Sequence, residues 1–220
     1  MCFCAEASFV GGTVLCIAGV VAVKMVTVKS RLLFASIPLF FSFQQFSEGF
    51  VWLALTKPEF AFMLKISTYS FLLIALIIWP IIVPLSIRLL EENVKRKIIM
   101  NILTGMGMLM SVYMTYTLFF REIGVSIMSH HIHYDVNYPY VFMDYSGIFY
   151  FIPTVIPSFI SSVKKMKLFG GFLFVSYLIT VYFLMEYVIS IWCFAASIIS
   201  LSIIFIISGL RKTSSDIEII

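Results

Sequence analysis

Residues 32–55 read LLFASIPLFFSFQQFSEGFVWLAL, and the fold follows from that stretch. An α-helix crosses about 30 Å of hydrocarbon with about 20 apolar residues, each advancing it about 1.5 Å. The run has that length, yet it carries Gln44, Gln45 and Glu48 inside it rather than at its ends. Glu48 falls about seven residues, or roughly 10 Å, from the Leu55 end. A carboxylate at that depth costs about 2.5–3.5 kcal/mol on insertion scales unless it is protonated, paired or wetted. The same stretch therefore predicts a membrane helix and a site upon it.

Similar runs recur along the chain, approximately at 6–23, 62–87, 98–120, 143–162, 168–187 and 189–209. With 32–55 they predict an all-α polytopic membrane protein of seven transmembrane helices, filling residues 1–220 as one domain. Composition agrees. The chain is 61% hydrophobic and 12% charged with a mean hydropathy of +1.06, against roughly 45–50% apolar and about 25% charged for soluble domains. No stretch remains for a separate soluble core.

The cations lie between the runs. Twelve of the fifteen Lys and Arg residues follow the first, third, fifth and seventh: Lys24, Lys29 and Arg31; Arg88, Lys95, Arg96 and Lys97; Lys164, Lys165 and Lys167; Arg211 and Lys212. Only Lys57, Lys65 and Arg121 fall on the other side. The positive-inside rule then predicts an outward amino terminus and a cytoplasmic carboxy terminus. It also accounts for the net charge of +4 without nucleic acid as a partner. The expected location is a cell inner membrane. No basic residue precedes Lys24, which argues against a secretory signal and keeps the first helix in the mature protein.

Pro80 and Pro84 in the third run, and Pro153 and Pro157 in the fifth, remove backbone donors and should kink or open those helices. On the first run Ser8, Gly12 and Cys16, with Gly19, form a stripe of small residues suited to close helix packing. Met106, Met110 and Met114 repeat every four residues, a spacing open to a soft copper path but more in keeping with gap-fillers beside Gly105 and Gly107. The last run contains no Lys, which excludes a retinal Schiff base.

Once the chain is oriented, its unusual polar residues share the exterior side. Gln44, Glu48 and Trp52 are spaced by four and lie on one helix face, with Gln45 beside them. The segment 129–135 holds every His in the chain. If extended, it turns His131, His133 and Asp135 one way and His130, Ile132 and Tyr134 the other. Two imidazoles and a carboxylate on one face are a zinc-type donor set with an open position. Glu6, Asp144, Glu186 and the stretch Ser190-Ile191-Trp192-Cys193 reach that side too. Cys2 and Cys193 share it as well, as a disulfide, as thiolate ligands or as buried thiols. No Cys-x-x-Cys pair occurs.

Met1-Cys2-Phe3-Cys4-Ala5, Gln44-Gln45-Phe46-Ser47-Glu48-Gly49, His130-His131-Ile132-His133-Tyr134-Asp135 and Ser190-Ile191-Trp192-Cys193-Phe194 together resemble a family of bacterial multi-pass membrane proteins that begin Met-Cys-Phe-Ser-Ala and are classed as a domain of unknown function. The resemblance runs the length of the chain. It departs at Cys4, where Ser is usual, and at Ile132-His133, where the family has Ser-Ile followed by a basic or polar residue. That departure moves the metal reading from His133 to His130, His131 and Asp135.

Three functions compete. In the first, His130, His131 and Glu48 hold a metal, zinc being the candidate. Glu48 or Asp135 then serves as catalytic base, and a lipid-like substrate lies against Gln44, Gln45, Trp52, Trp192 and Cys193. This plan resembles the alkaline ceramidase and adiponectin receptor superfamily at fold level only, since no His follows His133 here. In the second, Glu48 and Gln44 line the path of a small-solute or proton-coupled transporter. In the third, the polar cluster only fixes helix packing. The partners implied are the lipid bilayer and a small-molecule or lipid ligand; protein partners stay open.

Overall fold

The computed structural model describes residues 4–138, 146–163 and 165–217, the last seven by backbone alone. Helix α1 spans Ala5–Lys24. The run 32–55 becomes two pieces, a single turn α2 (Leu32–Ala35) and the long α3 (Ile37–Thr56). Pro38 lies in the first turn of α3 and has no N–H to continue the ladder from α2, so the helix restarts there.

Helix α4 (Leu64–Leu72) passes through a π-helical turn at Leu73–Ile78 into α5 (Trp79–Leu90). The prolines explain the widening. Pro80 cannot donate to the carbonyls one turn before it, and Tyr150 Oη–H donates to the Ala75 carbonyl instead. Ser111 Oγ–H reaches the Ile77 carbonyl at 2.6 Å. Pro84 in turn leaves the Pro80 carbonyl without its helical donor, and that oxygen rests on Gly107 of α6 (Val94–Phe120).

A chain reversal follows α6. Strands β1 (Ile123–Met128) and β2 (His131–Val136) pair antiparallel, with Val125 opposite Tyr134 and Ser126 opposite His133. Ser129 and His130 form the turn with φ of 47° and 66°, the doubly left-handed geometry of a tight hairpin. Helices α7 (Ser146–Ile160), α8 (Met166–Phe183), α9 (Val188–Ser200) and α10 (Ile203–Ile217) complete the chain.

The described chain is mostly helical as expected, with one two-stranded β-hairpin added, whose alternating apolar residues cover the bundle. Among the described residues five helical segments are long and apolar enough to cross a membrane: Ala5–Lys24, Pro58–Leu90, Val94–Phe120, Met166–Phe183 and Met185–Leu210. Helix α3 has the length, but Gln44, Gln45 and Glu48 depress its hydropathy, and its neighbours bury most of it. Gly147–Ile160 is a shorter apolar helix; the rest of the expected span 143–162 reaches beyond the described residues at its start.

Helix α1 lies closely along α3. Ser42 Oγ–H donates to the Gly12 carbonyl at 2.7 Å, and Gly19 approaches the backbone of Leu39. The buried stripe runs Ser8, Gly12, Leu15, Gly19, while Cys16 is exposed. A strict four-residue step drifts off a 3.6-residue helical face, and Leu15 takes the place expected for Cys16.

Glu91 fastens one end of the bundle. Its carboxylate accepts from Ser162 N–H and Ser162 Oγ–H, both at 2.8 Å, and from the Asn93 and Glu92 N–H groups at 3.1 and 3.2 Å. Burial alone would raise its pKa, but these donors hold it below the usual carboxylate value. The unfolded chain therefore takes up the proton first as pH falls. Glu91 contributes its full stability above the ordinary carboxylate pKa and loses it as pH drops through the lower folded value. Thermal midpoints in detergent should fall across that acidic window, and Glu91→Gln should flatten the slope; an unchanged slope would disprove the assignment.

Candidate functional site

Helix α3 delivers Glu48 to the centre of the bundle, where it is 2% exposed. Ser190, in the first turn of α9, donates its hydroxyl to Glu48 Oε1 at 2.5 Å, and Gln45 Nε2 donates to Oε2 at 3.4 Å. Among the described residues no cation neutralises this carboxyl. Gln44 faces the other way: its Oε1 accepts from Trp79 Nε1 at 2.9 Å, and its amide lies against the Cys193 thiol. Trp79 is held in turn by stacking on Phe41, with ring centroids 4.1 Å apart.

The hairpin closes this site with a residue that the sequence reading left aside. Strand alternation places Ile132, Tyr134 and Val136 inward and His131, His133 and Asp135 outward. Tyr134 stacks on Phe71 at 4.8 Å and 8° between planes, close to Glu48 and Cys193. Burial, then the charges of Glu48 and Cys193, push its hydroxyl well above the usual tyrosine value, so it keeps its proton. Period-two apolarity through Ile132, Tyr134 and Val136 was the available signal for it. Ser190 was placed on the exterior side with the stretch Ser190-Ile191-Trp192-Cys193, but nothing in its own spacing singled it out, since a hydroxyl at the head of an apolar run is commonplace.

The expected metal ligands separate. His130 stands in the exposed turn, and His131 packs its ring on Tyr187 at 4.9 Å. Burial lowers the His131 pKa and favours the neutral imidazole. His133 Nδ1 lies 2.7 Å from the Glu186 carbonyl oxygen. Asp135 is exposed opposite Gly124. The imidazoles and Glu48 are thus on opposite faces of β2. Among the described residues no three His, Cys, Asp or Glu side chains gather as a metal site. Trp52 is buried in the core cluster around Phe71. Cys2 and Asp144 lie outside the described residues, and with them the Cys2–Cys193 pairing.

Between β2 and helices α7, α8 and α9 lies a cavity of about 510 Å³. Tyr134, Ser190, Trp192 and Cys193 are on its wall, so Ser190 connects the cavity to Glu48. The separated stretches around Glu48, Tyr134 and Trp192 meet here. Residues 1–217 match a family of unknown function, DUF6629. The chain belongs to the DUF6629 family. No curated protein and no solved structure matches it.

Proposed function

We propose that this DUF6629 protein is a seven-pass inner-membrane protein of transporter type that takes a small amphipathic solute from the exterior side, with Glu48 as the proton-exchanging group. α3 and α7 would complete the passes, with the amino terminus outside, as the cation distribution favours. The observation that carries the reading is Ser190. Ser190 lines the cavity, and its hydroxyl donates to a carboxyl that no cation neutralises among the described residues. An unpaired intramembrane carboxyl is expensive to keep for packing alone, and exchanging a proton against a bound solute is the use such groups serve in transporters.

Proteoliposomes containing a pH-sensitive dye test this with panels of neutral, anionic and cationic solutes. Glu48→Gln, which retains size and hydrogen bonding, is expected to abolish solute-evoked proton movement while preserving the thermal midpoint. Proton movement equal to wild type, or a lower midpoint with full flux, would leave Glu48 as a packing strut.

A hydrolytic reading retains one supporting observation, the short Ser190–Glu48 hydrogen bond, since a carboxylate beside a hydroxyl can act as its base. Covalent labelling of Ser190 by a fluorophosphonate, lost in Glu48→Gln, would favour that reading over transport.

A further inference from the structure

We infer that the cavity beside Ser190 selects organic cations, an amine or quaternary ammonium on an apolar body. This rests on the binding role proposed above and names its ligand class. Tyr134, Tyr150, Tyr177, Tyr187 and Trp192 all contribute to the lining. Trp192 meets Tyr150 edge-on at 5.8 Å and 73°, and Tyr177 at 5.0 Å and 65°. Rings set across one another in this way present walls in more than one direction, and the negative faces of such walls attract a cation with modest hydration.

The charged groups point the same way. Asp135 and Glu186, both exposed, are among the lining residues together with His133, and no Lys or Arg is among the described lining residues. Acidic groups beside aromatic walls repel an anion and attract a positive ligand. A neutral amphiphile would fill the volume without using either carboxylate.

Two buried polar atoms face the same need for a partner. Tyr134 Oη and Trp192 Nε1 are buried without a hydrogen-bond partner among the described residues. Both belong to residues on the cavity wall. Leaving such groups unsatisfied is costly, and a polar substituent on the ligand would complement them. Glu48 stands behind Ser190, and a bound positive charge would be compensated by its ionised form. Cation entry and proton release would thereby be coupled.

Binding to purified full-length protein is measured with three probes of related shape: tetraphenylphosphonium, uncharged triphenylphosphine oxide and tetraphenylborate anion. The cation should bind at least tenfold tighter than the other two. Asp135→Asn with Glu186→Gln should reduce that preference severalfold. Both positions are exposed, so the double variant should keep the wild-type thermal midpoint. Tyr187→Leu should weaken the cation more than the neutral probe. A neutral probe binding as tightly as the cation would overturn the charge preference and leave the cavity role standing. Preference for the anion, or indifference to all these variants, would overturn the inference. Failure of every probe to bind would also overturn it, and the solute-evoked flux experiment then decides the broader reading separately.

Discussion

Gly107→Ala is expected to destabilise the protein by about 3 kcal/mol or more, at or beyond the upper end of ordinary overpacking costs. A Cβ at Gly107 would lie 1.8 Å from the Pro80 carbonyl oxygen and 2.7 Å from its carbon. No rotamer relieves that clash, because the obstructing atoms are backbone. The carbonyl is there because Pro84 supplies no N–H to draw it into the α5 ladder. Relief would require moving α5 from α6, disturbing Ser111 on Ile77 and Tyr150 on Ala75 as well. Gly105 offers the control on the same helix. A Cβ there meets nothing within 4 Å, so Gly105→Ala should be neutral or stabilising by up to about 1 kcal/mol through helix propensity. Thermal unfolding in detergent compares the two, and equal midpoints would refute this contact.

Trp79→Ala should cost about 3–5 kcal/mol, as large-to-small changes at buried aromatics do, and should disturb the site as well. Trp79 is 4% exposed, stacks on Phe41 and donates to Gln44. Trp79→Phe separates the two roles. It keeps a ring against Phe41 but leaves Gln44 Oε1 without its donor, at a cost of about 1–3 kcal/mol. With its anchor gone, Gln44 is free to turn from Cys193, and Cys193 should react faster with a small maleimide in Trp79→Phe. If Trp79→Phe unfolds and reacts like wild type, the indole N–H holds neither the fold nor the site.

Much of the architecture was legible because the constraint is crude. Hydrocarbon demands apolar runs of fixed length, and residues 6–23, 62–87 and 98–120 meet it without ambiguity. Residues 32–55 misled on continuity, since one proline splits a run that hydropathy leaves whole. The hairpin was missed within a chain that is otherwise helical. Residues 123–136 alternate over short strands beside charged ends, a pattern read as a loop until pairing is seen. For the site, Glu48, Gln44, Gln45 and Cys193 stood out as polar groups in an apolar medium, where any such group demands a partner. Their actual partners, Ser190 and Trp79, were invisible in spacing because they come from helices far away in sequence.

The sequence by itself determined that this chain has helices long and apolar enough to cross a membrane, that Glu48 lies within one apolar run, and that His131, His133 and Asp135 share a face if their segment is extended. These are local properties of hydropathy and backbone period. Only the tertiary structure decided which face of β2 meets the bundle. It placed Tyr134 rather than the imidazoles near Glu48 and opened the cavity through Ser190. That choice depends on packing between segments as distant as α3, β2 and α9, whose order around the bundle no periodicity encodes.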